Sequence, residues 1–124
     1  MVKPEVVRAT AEAYIEMARK LDVDQYAGLL AEDAVRENPF GRLQGREAIR
    51  DSAQQRWSHI KSGEVSVERL IVSGASAAIS LTARFTMQDG RTGIIEGIDV
   101  LDINEIGQIQ TLRTYYDPAP LQPT

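Results

Sequence analysis

Three residues of this chain have side chains suited to chemistry and stand where chemistry would need them: Tyr14, Asn38 and Asp99. Asp99 lies between Ile98 and Val100 in "GIIEGIDVLDI", a hydrophobic run with a period of two. Alternation puts it on one face with Ile95, Gly97, Leu101 and Ile103, and Glu96, Ile98, Val100 and Asp102 on the other. A carboxyl among large aliphatics must be paired or keep its proton, because an unpaired buried charge costs several kcal/mol. No Arg or Lys occupies that face of the strand, so the expectation is a protonated, hydrogen-bond-donating Asp99; the alternative is an outer face on which Asp99 and Asp102 are solvated. Tyr14 falls on the inward side of the first helix, where a core tyrosine with a locally satisfied hydroxyl is the plainer reading. Asn38 precedes Pro39, which biases it toward extended backbone. With Phe40 close behind, Asn38 reads as a polar group facing a ligand, yet an amide cannot act as a base.

The elements that must hold these side chains follow from periodicity. Over residues 3–21, Val7, Thr10, Tyr14, Met17 and Leu21 recur at three- and four-residue intervals and predict a helix. Asp22 caps a second short helix, with Val23, Tyr26, Ala27 and Leu30 on one side. A brief extended piece surrounds Val35, and residues 45–57 predict a third helix, with Ala48, Ile49, Ala53, Trp57 and Ile60 on or near one face. Residues 65–72, 77–87, 92–103 and 108–116 then read as strands, joined by turns at Ser73-Gly74, at 88–91 and at 104–107. The tail from Asp117, with three of the five prolines, reads as a loosely packed strap. These elements predict a single α+β domain over residues 1–124, with three N-terminal helices packed on the concave side of a curved antiparallel sheet. Such a cone encloses a pocket fit for a flat apolar ligand.

Composition narrows the chemistry. The chain has 124 residues, 43% hydrophobic and 26% charged, a globular mix. Without cysteine there is no disulfide, thiolate metal site or cysteine nucleophile, and the single His59 rules out a multi-histidine metal site. His59 stands in a polar helical stretch and reads as a surface residue. A net charge of −4 argues against a nucleic-acid surface. The glycines at 41–45 and 90–93 lack the strand–loop–helix setting of a phosphate loop, so no nucleotide cofactor is expected. With neither a membrane-length apolar run nor a charged-then-apolar leader, the expected location is cytoplasmic, away from membranes.

Taken together, Tyr14, "EDAVRENPFG", "EGIDVLDINEIGQIQTLRTYY" and the helix order resemble the ketosteroid isomerases (steroid delta-isomerases), which share the cone fold of nuclear transport factor 2 and the polyketide cyclases. The resemblance spans nearly the whole chain. Its specific part is the spacing, 24 residues from Tyr14 to Asn38 (38 − 14) and 61 from there to Asp99 (99 − 38). It implies that Tyr14 and Asp99 are oxyanion donors and position 38 the general base. The base would take a proton beside the carbonyl of a 3-oxo steroid, giving a dienolate held by the two donors, and return it so that the double bond becomes conjugated. Neither metal nor nucleotide takes part. A carboxylic acid kept neutral in this enzyme is an established example of pKa tuning. Phe40, Trp57, Phe85, Met87, Leu101 and Tyr116 are candidate apolar walls, and Tyr116 matches an aromatic wall position of the family.

Two residues depart from the family pattern. Asn38 stands where the family has aspartate, while Glu37 and Pro39 keep the pattern. Neutral and nearly isosteric with aspartic acid, Asn38 imitates the base after it has taken the proton. Either the base was exchanged deliberately, which the intact surroundings favour, or the chain is a natural relative with lost or altered chemistry. Ala53 stands near a family tyrosine that supports the oxyanion tyrosine. The expected function is thus an isomerase scaffold of low activity that takes an apolar steroid or a phenolic ligand. The alternatives are a polyketide-cyclase-like or epoxide-hydrolase-like enzyme, or a non-catalytic module that binds a ligand or protein. A homodimer is expected through the outer face of Glu96, Ile98, Val100 and Asp102, as the resemblance also implies.

Overall fold

Val7, Thr10, Ala11, Tyr14, Ile15 and Met17 form the buried stripe of α1 (Pro4–Lys20), and their three- and four-residue spacing is why this segment is helical. The computed structural model describes residues 1–118. Helix α1 starts on a proline, carries Glu5 in its first turn and Arg19 and Lys20 in its last, all favourable to the helix dipole. It ends where Leu21 turns left-handed (φ 52°) and the Asp22 amide donates back to the Met17 carbonyl at 3.2 Å. Asp22 then caps α2 (Val23–Leu29), its carboxylate accepting from the Gln25 amide at 3.0 Å.

Two strands follow that periodicity alone did not reveal: β1 (Leu30–Asn38) and β2 (Gly41–Gln44), paired antiparallel so that Asn38 opposes Gly41. The extended piece around Val35 is therefore a nine-residue strand. Helix α3 (Arg46–Trp57) follows Gly45, whose φ of 97° favours glycine and whose amide donates to the Ala34 carbonyl at 2.7 Å. The meander β3 (Ile60–Ser73), β4 (Ser76–Met87), β5 (Thr92–Ile103) and β6 (Ile109–Tyr116) completes the chain. Its turns fall where glycine and the asparagine–aspartate positions predicted them. Ile60, expected near the face of the third helix, instead begins β3. The expected strap over the tail lies, for 119–124, outside the described residues.

The fold is α+β, three helices and one six-stranded sheet in the order β2-β1-β6-β5-β4-β3. The sheet is mixed rather than antiparallel, because β1 runs parallel to β6, Arg36 opposite Leu112. An antiparallel meander needs only hairpins; this parallel pair forms because α3 and the meander carry the chain away and bring it back beside β1. Irregular pairing between Ile60 and Ser62, between Val67 and Arg69, and near Asp102 marks where the long strands bend. Helix α1 packs on β3, β4 and β5, and α2 and α3 pack on β1. Met17, Leu30, Ile49, Ile79, Leu101, Ile109 and Leu112 fill the layer between them.

Candidate functional site

Tyr14 from α1 and Asp99 from β5 meet inside the fold: the Tyr14 hydroxyl donates to Asp99 Oδ2 at 2.7 Å, and the two residues are only 7% and 6% exposed. The inward register of β5 carries Asp99 there with Leu101 and Ile103, as alternation required. Its strand neighbours are Ile79 on β4 and Thr114 on β6. Burial pushes the Asp99 carboxyl above its ordinary value, and the hydroxyls of Tyr14 and Thr114 oppose that rise only in part. Burial, with Asp99 beside it, pushes the Tyr14 phenol well above its own. Both groups thus favour their neutral, proton-bearing forms. A protonated carboxyl beside a phenol is an arrangement that can donate to one oxygen that gains negative charge, which water does less well because it must reorganise.

The pair opens on a cavity of about 560 Å³. Phe40, Trp57, Phe85, Met87 and Tyr116 line it with Tyr14, Asn38 and Asp99. Leu101 does not: fully buried, it packs in the core behind the site. Alternation fixes the face of a strand residue but not whether the layer above it is side chains or open space. Phe40 belongs to the mouth, 76% exposed and set edge-on to Tyr116 at 6.4 Å. His59 is exposed and sits on the rim. A wider groove of about 870 Å³ lies beside Glu68, Glu96, Ile98 and Arg113, and neither Tyr14 nor Asp99 reaches it.

Asn38 ends β1 and lines the cavity. Its Oδ1 accepts from the Phe40 amide at 2.9 Å, an Asx turn around Pro39 that leaves the amide NH₂ as the free end of the side chain. Glu37 points away from the cavity, 3.7 Å from Arg42 and 4.0 Å from Arg113, so no carboxylate replaces the base from the neighbouring position. Ala53 is buried and offers Tyr14 no hydroxyl. Tyr26 instead sets its ring edge-on to Tyr14 at 6.4 Å and lies 5.5 Å from Trp57.

Polar residues of the cavity that escaped the sequence reading include Tyr26, Arg36, Arg56 and Thr114, and the exposed Arg19, Glu64 and Arg84 line it too. Tyr26 read as one apolar position of a short helix; it is 3% exposed, and burial pushes its phenol up to about 12. Arg36 is the larger surprise. It is 7% exposed, its Nη1 makes only a long 3.5 Å contact with Ser52 Oγ, and its buried Nε has no partner among the described residues. The signal was present, since Arg36 stands two residues before Asn38 and so shares its face.

Comparison with known proteins agrees with this fold. The chain is 27% identical over 118 residues to a Steroid Delta-isomerase of Nocardioides simplex, covering 93% of each chain. Its fold matches an LEH-like epoxide hydrolase of M. tuberculosis with a TM-score of 0.80 at 21% identity, over 92% of this chain and 84% of that one. It matches equally an NTF2-like protein of unknown function from Burkholderia pseudomallei, TM-score 0.80 at 19% identity, over 90% and 91% of the two chains. Residues 11–111, the span that supplies Tyr14, Asn38 and Asp99 alike, match the SnoaL-like domain family, and the chain belongs to that family.

Proposed function

We propose that this protein is a ketosteroid-isomerase-like scaffold that binds a planar apolar ligand by an oxygen atom, with Tyr14 and protonated Asp99 as the oxyanion donors. The observation that carries this reading is the buried 2.7 Å contact between those side chains on the wall of a largely apolar cavity. The similarity to a Steroid Delta-isomerase over 93% of both chains supports a 3-oxo steroid or a phenolic mimic of its dienolate as the ligand class. The donors lower the energy of the dienolate formed when a proton leaves the carbon beside the carbonyl. Asn38 holds the place from which that proton would be taken, but its nitrogen lone pair is delocalised and cannot accept it. Isomerase turnover is therefore low.

The fold also houses other chemistry. An epoxide-hydrolase-like mechanism with an Asp–Arg–Asp group is disfavoured, because Arg36 makes no carboxylate pair among the described residues. A pure protein-binding module has no use for two convergent buried donors. We infer self-association through the outer sheet face, where Ile71, Ile98 and Tyr115 are about half exposed (52%, 46% and 57%). The test of the enzymatic reading is isomerase activity on a 3-oxo steroid with an unconjugated ring double bond. Asn38→Asp should raise it at least ~10²-fold, the lower range of a positioned base; an aspartate variant no faster than the parent would contradict the reading.

A further inference from the structure

Arg36 is a charged side chain buried in the wall of a largely apolar cavity, with no carboxylate paired to it among the described residues. Its strand neighbours are Leu43 and Leu112, and among the described residues its side chain's one hydrogen-bond contact is the long one to Ser52. The carboxyls that line the same cavity are Asp99 and Glu64. Asp99 is engaged by Tyr14, Glu64 is exposed, and neither pairs with Arg36. Arg56, on the rim, adds to the positive charge near Arg36, and burial together with Arg56 holds the Arg36 guanidinium below its ordinary value. An arginine remains protonated under such conditions, so the charge persists without a counter-ion. A buried cation left unpaired opposes folding, and cavities carry such a group where a ligand completes it.

We propose that the cavity is built for a planar apolar ligand that carries a carboxylate, and that Arg36 is the residue that selects it. Arg36 lines the cavity, and a guanidinium matches a carboxylate with two parallel hydrogen bonds; its Nε is closed off in the wall, so the ligand would meet the Nη end. The place of Asn38 agrees with this. Arg36 and Asn38 stand two residues apart on one face of β1, roughly 6.6 Å along the strand, so an aspartate at 38 would compete for Arg36 and repel an anionic ligand. A neutral amide leaves the guanidinium free. The proposal rests on the reading of Tyr14 and Asp99 as the oxygen-binding pair and adds a second point of recognition to it: the ring oxygen at one, the carboxylate at the other.

The experiment is calorimetric titration of the parent protein with a hydroxynaphthoate and with its methyl ester, which share a phenol and differ in the charge. The acid should bind the parent at least about tenfold more tightly, as one charge-assisted contact supplies. Arg36→Gln should abolish that preference, so that the acid binds no more tightly than the ester, while Arg36→Lys, which keeps the charge without the planar edge, should retain part of it. If Arg36→Gln does not fold, Arg36→Lys decides: a reduced preference supports the proposal and an undiminished one overturns it. An ester bound in a Tyr14-dependent manner with no preference for the acid overturns the role of Arg36 and leaves the oxyanion pair standing. Ester binding indifferent to Tyr14→Phe overturns the oxyanion pair and, with it, the proposal.

Discussion

Tyr14 on the first helix and Asp99 on the fifth strand, 85 residues apart, share one hydrogen bond of 2.7 Å at the inner wall of the cavity. The bond joins two acids, and burial disfavours the charged form of each. Burial therefore favours the proton-bearing form of each, which is the form an oxyanion-binding pair would need.

Stability should report the protonation of Asp99. Its folded value is raised from 3.8 by burial, so the stabilisation that goes with the proton is complete below the unfolded value and fades as pH rises through the folded one. An asparagine in its place cannot ionise. In thermal melts between about pH 4 and about pH 8, Asp99→Asn should therefore gain on the parent as pH increases. Parallel curves for the two proteins would mean that Asp99 titrates as an ordinary surface carboxyl.

Leu101 should separate the core from the cavity. It is fully buried behind the site rather than on its wall. Leu101→Ala should lower the unfolding free energy by about 2–5 kcal/mol in urea titration, as a buried leucine does. Phenol affinity, measured by the fluorescence of Trp57 on the cavity wall, should change little. An affinity loss as large as that of Tyr14→Phe would place Leu101 against the ligand.

Charge on the outer sheet face should break self-association. Ile98 pairs with Tyr115 across β5 and β6, and both are exposed. Sedimentation should give twice the 13.7 kDa chain mass for the parent and the single-chain mass for Ile98→Lys. A parent that sediments as one chain at micromolar concentration would remove the dimer from the account.

The residues that announced themselves in the sequence were those whose pattern is local. Strands β3 to β6 alternate and are joined by short turns, and α1 repeats its apolar stripe over 17 residues, so both could be read along the chain. Strand β1 could not. Its buried positions beyond Leu30 are only small alanines at 31 and 34 and a charged residue at 36, and its central-side partner β6 lies more than 70 residues on. Asp99 stood out because it broke an apolar face. Arg36 did not, because the buried positions of its strand fall at 30, 31, 34 and 36, with no strict alternation of large apolar residues to show which way it points. Tyr26 was hidden differently, since one aromatic on a short helix reads as core until the cavity beside it is known.

The most direct test of the account is titration with a substituted phenol whose ultraviolet spectrum reports its ionisation, using the parent, Tyr14→Phe, Asp99→Asn and Asn38→Asp. The parent should bind the phenol partly ionised and at least as tightly as Asn38→Asp, because an aspartate at 38 would set a negative charge against the phenolate. Loss of either donor should weaken binding by roughly 1–3 kcal/mol. Equal affinities across the four proteins, or a phenol that stays fully neutral when bound, would contradict the assignment of Tyr14 and Asp99 as an oxyanion-binding pair.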